Sequence, residues 1–497
     1  MITRRKLLAA LAPAPPKLNY ILVLADDMGY GDIGPHTPHL NRLAADGVRL
    51  TDHYSCSPVC SPARAGLMTG LVPDRAGITG VLREQHDANH GLATGVKTMA
   101  GHFRDRGVKT ALLGKWHLGM SAPYHPNRRG FDYFWGFLNG MHDYRTNLSA
   151  GGGGKGTRQT YENETPIQLE GYFPELLTRK AVGFVEQHRD QPYFLYLAHP
   201  LPHVPLQAPP GFMSREPRAI HGAMLSALDQ TIGAVREALE RTGQWDRTVL
   251  VFLSDNGWAK KVSPDQAPLG GNGPFRGGKY ELFEGGIRSP CIVRWPGLSR
   301  PGAIARTPTW FADWLPTLTG AKTRDGRDIR DVIAGRKGDD KRLLAWRFED
   351  ALVKTPLCFA ARKGKWKRLN DDVYDLSTDP SERNPIRSNR LERELNEWKA
   401  QLQASLKGRS LPSAGSNAIF PSALQPAILP RCLSSRLAAA GSVFFRLWTW
   451  FDYQIWQRIS PPIPSLCAVR PVITPRGVVR MLIPSPPSTR GISLWPT

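Results

Sequence analysis

The sequence predicts an α/β fold, with a mostly parallel sheet sandwiched by helices and a smaller α+β domain after it. Four short apolar, β-branched or aromatic runs each end abruptly in polar residues, at 20–25, 110–113, 193–198 and 249–253. Uninterrupted runs of this length are typical of strands buried on both faces, as in parallel sheets. Helical patterns lie between them, at 40–46, 98–106, 176–189 and 224–242. This alternation of strand and helix indicates an α/β architecture.

The alternation fades after about residue 320. Residues 343–376 are typical of a few antiparallel strands, and residues 391–406 follow with a helical pattern. We therefore expect a large α/β domain over residues 17–320 and a small α+β domain over residues 321–407.

The amino-terminal residues 1–16 are typical of a twin-arginine export signal. The segment Thr3-Arg4-Arg5-Lys6 precedes a short apolar run and a Pro-rich segment. Such a signal would place the chain in the periplasm or outside the cell. The alternative is an unstructured basic start before the first strand, which would leave the chain in the cytoplasm.

Residues 408–497 have a different composition, rich in Pro, Ser, Arg and Trp, with Asp452 as the only acidic residue. This composition predicts disorder. The alternatives are an appendage that binds membranes or polyanions, and an out-of-frame reading of the end of the gene.

The overall composition is that of a globular protein, with 41% hydrophobic residues in 497. The net charge of +22 favours an anionic partner, such as a sulfated polysaccharide, a nucleic acid or an acidic membrane. The six cysteines show no Cys-x-x-Cys spacing, which argues against a zinc ribbon or a dense disulfide framework. No apolar run reaches the roughly 18–20 residues of a membrane-spanning helix, so we expect no transmembrane segment.

Two acidic pairs follow predicted strands. Asp26 and Asp27 come directly after the first strand, and Asp255 and Asn256 leave the fourth. In α/β sheets, ligands bind at the carboxyl ends of the strands. Adjacent carboxylates repel unless a cation lies between them, and an all-oxygen set suits Ca²⁺ or Mg²⁺ better than zinc. The alternative is that these side chains only cap turns.

Residues 60–64 read Cys-Ser-Pro-Ala-Arg and predict the start of a helix, because Ser61 is a good N-cap residue and Pro is tolerated in the first turn. The N-terminus of a helix suits an anionic reaction centre. The alternative is an ordinary buried cysteine beside a turn.

Together these segments resemble the sulfatase family. Residues 60–64 match its Cys-x-Pro-x-Arg signature, and five further motifs follow the family order: Leu24 to Asp32, Gly114 to Gly119, Pro202 to Pro205, Ser254 to Gly257, and Gly277 to Arg288. The residues in these motifs are similar to those of the arylsulfatase A and N-acetylgalactosamine-6-sulfatase group, especially at Asn272-Gly273-Pro274-Phe275. The resemblance implies an alkaline-phosphatase-like fold.

The resemblance also implies a metal and a modified cysteine. Cys60 would be oxidised to formylglycine by a maturation enzyme. Ca²⁺, or Mg²⁺ as the alternative ion, would be bound by Asp26, Asp27, Asp255, Asn256 and the formylglycine from Cys60. The aldehyde hydrate would attack the sulfur of a sulfate ester.

The remaining site residues take their roles from the same resemblance. Arg64 and Lys115 would steady the hydrate and its sulfate adduct. Lys279 and His203 would contact sulfate and protonate the departing alcohol. His117 would accept the proton that allows sulfate to leave.

The sequence therefore predicts a sulfatase acting on sulfate monoesters of carbohydrates or aryl alcohols, with no nucleic-acid partner. One rival is a phosphate or phosphonate monoester hydrolase with the same centre. The other is a non-catalytic polyanion-binding protein in which Cys60 stays unconverted. Salt-sensitive binding without sulfate release would distinguish this last class.

Overall fold

The structure, a computed structural model, describes residues 18–148, 160–259, 270–336 and 338–406. All of these residues belong to one compact unit. The predicted export signal over residues 1–16 and the predicted disordered segment over residues 408–497 lie outside the described residues.

The described residues form three β-sheets. Their strands are β1 (Asn19–Asp26), β2 (Val48–Leu50), β3 (His53–Tyr54), β4 (Lys109–Lys115), β5 (Tyr133–Phe137), β6 (Thr160–Glu162), β7 (Thr165–Ile167), β8 (Tyr193–Pro202), β9 (Thr248–Ser254), β10 (Cys291–Arg294), β11 (Ala303–Ala305), β12 (Thr309–Trp310), β13 (Leu343–Asp350), β14 (Thr355–Lys363), β15 (Trp366–Leu369) and β16 (Asp372–Asp375).

Helices connect these strands. The α-helices are α1 (Pro38–Asp46), α2 (Cys60–Thr69), α3 (Pro73–Ala76), α4 (Met99–Arg104), α5 (Phe173–Gln187), α6 (Pro217–Arg241), α7 (Glu284–Ile287), α8 (Trp314–Thr319), α9 (Arg330–Ile333) and α10 (Glu392–Leu406). Short 3₁₀ helices occur at Tyr30–Asp32, Ala122–Tyr124, Pro126–Arg129, Trp245–Arg247 and Phe311–Asp313.

The main sheet has ten strands in the order β11-β2-β10-β9-β1-β8-β4-β5-β6-β7. Its centre, from β9 to β5, is parallel throughout. Antiparallel pairs occur toward the edges, where β10 pairs with β9 and β6 pairs with β5. The predicted mostly parallel sheet is confirmed, and each of the four predicted strands lies in its centre.

The central strands alternate their side chains between two hydrophobic cores. In β1, Leu22 and Leu24 face the core formed with α2, α4 and α8, whereas Ile21 and Val23 face the core formed with α1, α5 and α6. Because both faces are covered by helices, the strands contain the continuous apolar runs that the sequence displays. The sheet is therefore the middle layer of a three-layer sandwich.

The register of β1 brings distant segments to the same edge of the sheet. Leu24 pairs with Ala198 of β8 and with Leu253 of β9. Parallel strands in this register end together, so the residues that follow β1 and β9 lie side by side at the carboxyl edge. Asp27 and Asp255 are brought into contact in this way, as described below.

The small antiparallel sheet has the order β13-β14-β15-β16, and α10 packs on it through Leu395. The predicted antiparallel strands and the helix after them are confirmed. Trp346 of β13 donates a hydrogen bond from its indole to the carbonyl of Ser55, at 2.8 Å. The small sheet therefore packs directly against the segment that precedes Cys60.

Among the described residues, we find no helix that combines the length and the apolar character required to span a membrane.

Candidate active site

Cys60 is the first residue of α2, and its side chain is buried. The residue before it, Val59, is extended, and its side chain makes no capping hydrogen bond. The predicted helix start is confirmed, but the prediction that Ser61 is the N-cap residue is wrong. Ser61 lies inside the first turn, and its hydroxyl accepts a hydrogen bond from the Leu82 amide instead, at 3.0 Å.

Leu82 connects the start of α2 to His117. Its amide binds Ser61, and its carbonyl lies 2.8 Å from Nε2 of His117. A carbonyl can only accept a hydrogen bond, so Nε2 carries the proton. Nδ1 of His117 is buried and has no hydrogen-bond partner among the described residues. Burial, with the nearby Lys115 cation, holds the pKa of His117 well below its usual value, so a neutral ring leaves Nδ1 able to accept a proton.

Asp26 ends β1 and is almost completely buried. Its Oδ2 lies 2.5 Å from Nζ of Lys115, and its Oδ1 lies 3.3 Å from Nη2 of Arg64. Burial alone would raise the pKa of Asp26, but the Lys115 ammonium and the other nearby cations outweigh it and lower the pKa to about 2. Asp26 is therefore a carboxylate at neutral pH.

Arg64 and Asp255 form a fully buried ion pair. Nε and Nη2 of Arg64 both contact Oδ2 of Asp255, at 3.0 and 2.8 Å. The other carboxylate oxygen of Asp255 accepts the amide hydrogen of Asp27, at 3.1 Å. Asp255 thus fixes the position of the Arg64 guanidinium relative to the backbone of Asp27.

Asp27 has a left-handed backbone conformation, with φ of 62°, which is rarely adopted outside glycine. Its Oδ1 accepts a hydrogen bond from Nδ2 of Asn256 at 2.7 Å, and its Oδ2 lies 2.7 Å from Nζ of Lys279. Burial opposes ionisation, but Lys279 outweighs it and the pKa of Asp27 is lowered. Strained backbone of this kind is often found where side chains are held for function.

His203 also points at Asp27, with Nε2 at 3.6 Å from Oδ2. Its Nδ1 lies 2.7 Å from the Val204 carbonyl, so Nδ1 carries a proton and Nε2 faces the acidic pair. Burial lowers the pKa of His203, although Asp26 counteracts this effect. His203 therefore has a proton-exchanging nitrogen directed into the site.

Four side chains at the centre of these residues lie close enough together to hold one metal ion. Single ligand atoms of Asp26, Asp27, Cys60 and His203 all lie within 4.8 Å of one another. Two buried oxygens, Oδ1 of Asp26 and Oδ1 of Asn256, receive no hydrogen bond from any described residue. Unsatisfied oxygens are costly when buried, and oxygen ligands are those that Ca²⁺ and Mg²⁺ prefer. The residues therefore fit a hard divalent cation.

The structure brings the predicted site residues together at the carboxyl edge of the main sheet. His203 lies nearer the centre of the cluster than the sequence indicated, whereas Asp255 reaches it through Asp27 and Arg64. Sequence reasoning missed Tyr144, whose hydroxyl lies 3.0 Å from the Pro200 carbonyl and 2.8 Å from the His203 carbonyl. This tyrosine holds the His203 segment, and no motif around it could have indicated so.

Gly114 immediately precedes Lys115 and has φ of 105°. A Cβ at this position would lie 2.1 Å from the Ala198 carbonyl oxygen. We expect Gly114→Ala to lower the free energy of unfolding by roughly 2 kcal/mol or more, through backbone strain and steric overlap. Urea denaturation measures this loss.

Gly183→Ala is the matched control for Gly114→Ala. Gly183 lies in the interior of α5, and a Cβ there meets no atom within 4 Å. Helix propensity predicts that this second substitution is stabilising by roughly 0.5–1 kcal/mol. Equal effects of the two substitutions would contradict the steric argument.

A mostly parallel sheet that gathers carboxylates, lysines and histidines at its carboxyl edge indicates an α/β protein with a site for a charged ligand at that edge. Residues 18–321 match the family model described as Sulfatase. N-acetylgalactosamine-6-sulfatase of Homo sapiens is 35% identical over 376 residues, which cover 70% of this chain and 71% of that protein. The chain belongs to the sulfatase family, and it is a sulfuric ester hydrolase.

Solved structures share this fold. The crystal structure of Ps i-CgsB in complex with k-i-k-neocarrahexaose has a TM-score of 0.70 and 29% sequence identity, covering 80% of this chain and 94% of that chain. The phosphonate monoester hydrolase of Agrobacterium radiobacter has a TM-score of 0.55 and 19% identity, covering 78% and 95%. The similarity to the phosphonate monoester hydrolase is limited to the fold. The predicted alkaline-phosphatase-like fold is confirmed.

Proposed function

We propose that the chain hydrolyses sulfate monoesters of carbohydrates or aryl alcohols, using a formylglycine made from Cys60 and a bound Ca²⁺. The observation that carries this proposal is the position of Cys60. It lies at the start of α2, with Asp26, Asp27 and His203 within 4.8 Å. A thiol in this place has no evident role of its own, since burial raises the pKa of Cys60.

The cation would be held by Asp26, Asp27, Asp255 and Asn256 together with the modified Cys60; Mg²⁺ is the alternative ion. When bound, it supplies positive charge that stabilises and orients an anionic ester. The converted Cys60 supplies an electrophilic aldehyde in place of a thiol, which makes covalent catalysis accessible. Arg64 and Lys115 contribute fixed positive charge beside this position, because both are buried and paired with site carboxylates.

Three residues are proposed to move protons or contact the substrate. Lys279 and His203 face the same oxygen of Asp27, and there they would contact the sulfate group and protonate the departing alcohol oxygen. His117 would accept a proton at Nδ1, since Nε2 already donates to Leu82. General acid–base steps of this kind contribute roughly 10² to 10⁴ in rate each.

The net charge of +22 favours an anionic saccharide as the substrate. The sugar bound in the Ps i-CgsB crystal supports the same class. We also propose that a formylglycine-generating enzyme matures Cys60, and that the chain acts in the periplasm or outside the cell.

The test is the intact mass of the peptide that contains Cys60, from protein made in its native host. We expect a loss of about 18 Da relative to the thiol, the difference between the two side chains. Turnover of paired aryl sulfate and aryl phosphate substrates then separates the sulfatase from a phosphate or phosphonate ester hydrolase. An unmodified thiol in folded protein would contradict the catalytic centre and favour polyanion binding.

A further inference from the structure

The segment that carries Lys279 forms a closed loop, which we define as the lysine loop, residues 276–286. The amide of Gly285 donates to the carbonyl of Arg276 at 2.7 Å and joins its two ends. The amide of Tyr280 donates to the carbonyl of Pro58 at 3.0 Å. The placement of this loop therefore determines where the Lys279 ammonium lies.

Three buried charged side chains meet at the end of this loop: Glu284, which belongs to the loop, and Lys367 and Glu382, which no sequence motif assigned. Glu284, Lys367 and Glu382 are completely buried, with no exposed surface. Nζ of Lys367 lies 3.0 Å from Oε1 of Glu284 and 2.8 Å from Oε1 of Glu382. We call these three residues the ionic clamp. Fully buried charges are costly and are seldom retained unless paired.

Glu382 contacts both ends of the lysine loop. Its Oε2 accepts the amide hydrogen of Glu284 at 2.6 Å, and its carbonyl accepts a hydrogen bond from Nη1 of Arg276 at 2.8 Å. Its backbone is left-handed, with φ of 53°, a conformation that costs a residue other than glycine free energy. One strained residue thus fixes the beginning and the end of the loop.

The opposite side of Glu284 is held by the large domain. Its Oε2 accepts hydrogen bonds from the Tyr54 hydroxyl at 2.6 Å and from Nη1 of Arg288 at 3.0 Å. Glu284 is therefore oriented from one side by Tyr54 of β3 and by Arg288, and from the other by Lys367 of β15. The small antiparallel sheet therefore contacts the end of the lysine loop through Lys367, and Glu382, which follows the last strand of that sheet, provides a second contact.

We infer that Lys367 and Glu382 are positioning residues for the reaction, which hold the lysine loop so that Lys279 reaches Asp27 and the bound sulfate group. This inference rests on the proposed function, in which Lys279 contacts sulfate. Neither positioning residue belongs to the central cluster. They act through the loop, and a displacement of about 1 Å at a reacting group can cost roughly 10²-fold in rate.

The first test is Lys367→Met, compared with the control Arg342→Met. Arg342 also lies at the small sheet and forms a buried ion pair, with Nη1 at 2.7 Å from Oδ1 of Asp313. Within the described part of the chain, its hydrogen bonds and ion pairs go to Asp313 and Asp325 and not to the lysine loop. Both substitutions remove one charge from a buried pair, so both should lower the melting temperature. Only Lys367→Met should lower kcat for an aryl sulfate, by about 10- to 100-fold, with a smaller change in KM.

Hydrogen exchange measured by mass spectrometry provides a readout that does not depend on turnover. In Lys367→Met the amides of the lysine loop should exchange faster than in the parent protein, whereas Arg342→Met should leave them protected. Glu382→Gln keeps the side-chain volume and an acceptor for the Glu284 amide, so it carries the same test if Lys367→Met does not fold.

The outcomes separate this inference from the proposed function. If kcat and loop exchange in the Lys367 and Glu382 variants match those of Arg342→Met, the positioning role is wrong. If the parent protein with converted Cys60 releases no sulfate from any ester, the proposed function fails, and loop exchange still decides whether the clamp holds the loop. Faster exchange together with a lower kcat supports both.

Discussion

Cys60→Ala is expected to abolish sulfate ester hydrolysis, with a loss in kcat/KM of about 10⁴-fold or more. The substitution removes the atom from which the aldehyde is made, so no conversion state of the protein can supply the nucleophile. Folding should change little, because alanine at the start of α2 retains the Cβ and loses only a buried sulfur. Initial rates with an aryl sulfate, on protein of verified melting temperature, measure the loss.

Cys56→Ala is the matched control. Cys56 also begins a Cys-x-Pro segment, is equally buried and is free, but its sulfur packs near Gly66 in the interior of the fold. This variant should keep its turnover within a few-fold of the parent protein. Equal losses in the two variants would indicate damage to the fold, and retained turnover in Cys60→Ala would place the nucleophile elsewhere.

Removal of the divalent cation is expected to produce the second-largest loss, about 10³-fold in turnover, since metal stabilisation of transition-state charge contributes several kcal/mol. The same ion should stabilise the fold, because the site proposed for it is formed only in the native state. At a free concentration of 100 times its Kd, Ca²⁺ adds about 2.7 kcal/mol to the free energy of unfolding. Chelation followed by calcium titration measures both effects.

Two carboxylate variants locate the ion. Asp27→Asn should lose the calcium-dependent rise in melting temperature, because Asp27 belongs to the central cluster. Asp313→Asn should keep it, since Asp313 is a buried carboxylate of the Arg342 ion pair. If both variants respond to calcium as the parent does, the cation is bound somewhere else. Magnesium in the same titration distinguishes the two candidate ions.

Much of the fold was predictable, because buried parallel strands leave a strong local signature. The run at 249–253 differs from the observed β9 by one residue at each end. Among the four predicted strands, the largest disagreement is β8, which continues to Pro202, beyond the predicted end at residue 198. Prolines usually argue against a continuing strand, so its last residues gave no local signal.

The site was predictable only where its residues follow strands in recognisable motifs. The ionic clamp was not, because burial of a lysine depends on tertiary packing. Lys365 and Lys367 are two residues apart, yet the side chain of Lys365 is 52% exposed and that of Lys367 is 0% exposed. Similarly, the residue type of Ser61 predicts an N-cap, and only the folded structure reveals that its hydroxyl accepts a hydrogen bond from the Leu82 amide.

The link from Ser61 through Leu82 to His117 has a consequence for how substrate preference can evolve. A single residue, Leu82, is held by hydrogen bonds on both sides and sets the spacing between the start of α2 and His117. Leu82 contributes only backbone atoms to that link, so its side chain can change without altering the spacing. Residues at the surface of the site can therefore vary while this spacing is kept, and we expect changes in ester preference to arise in this way.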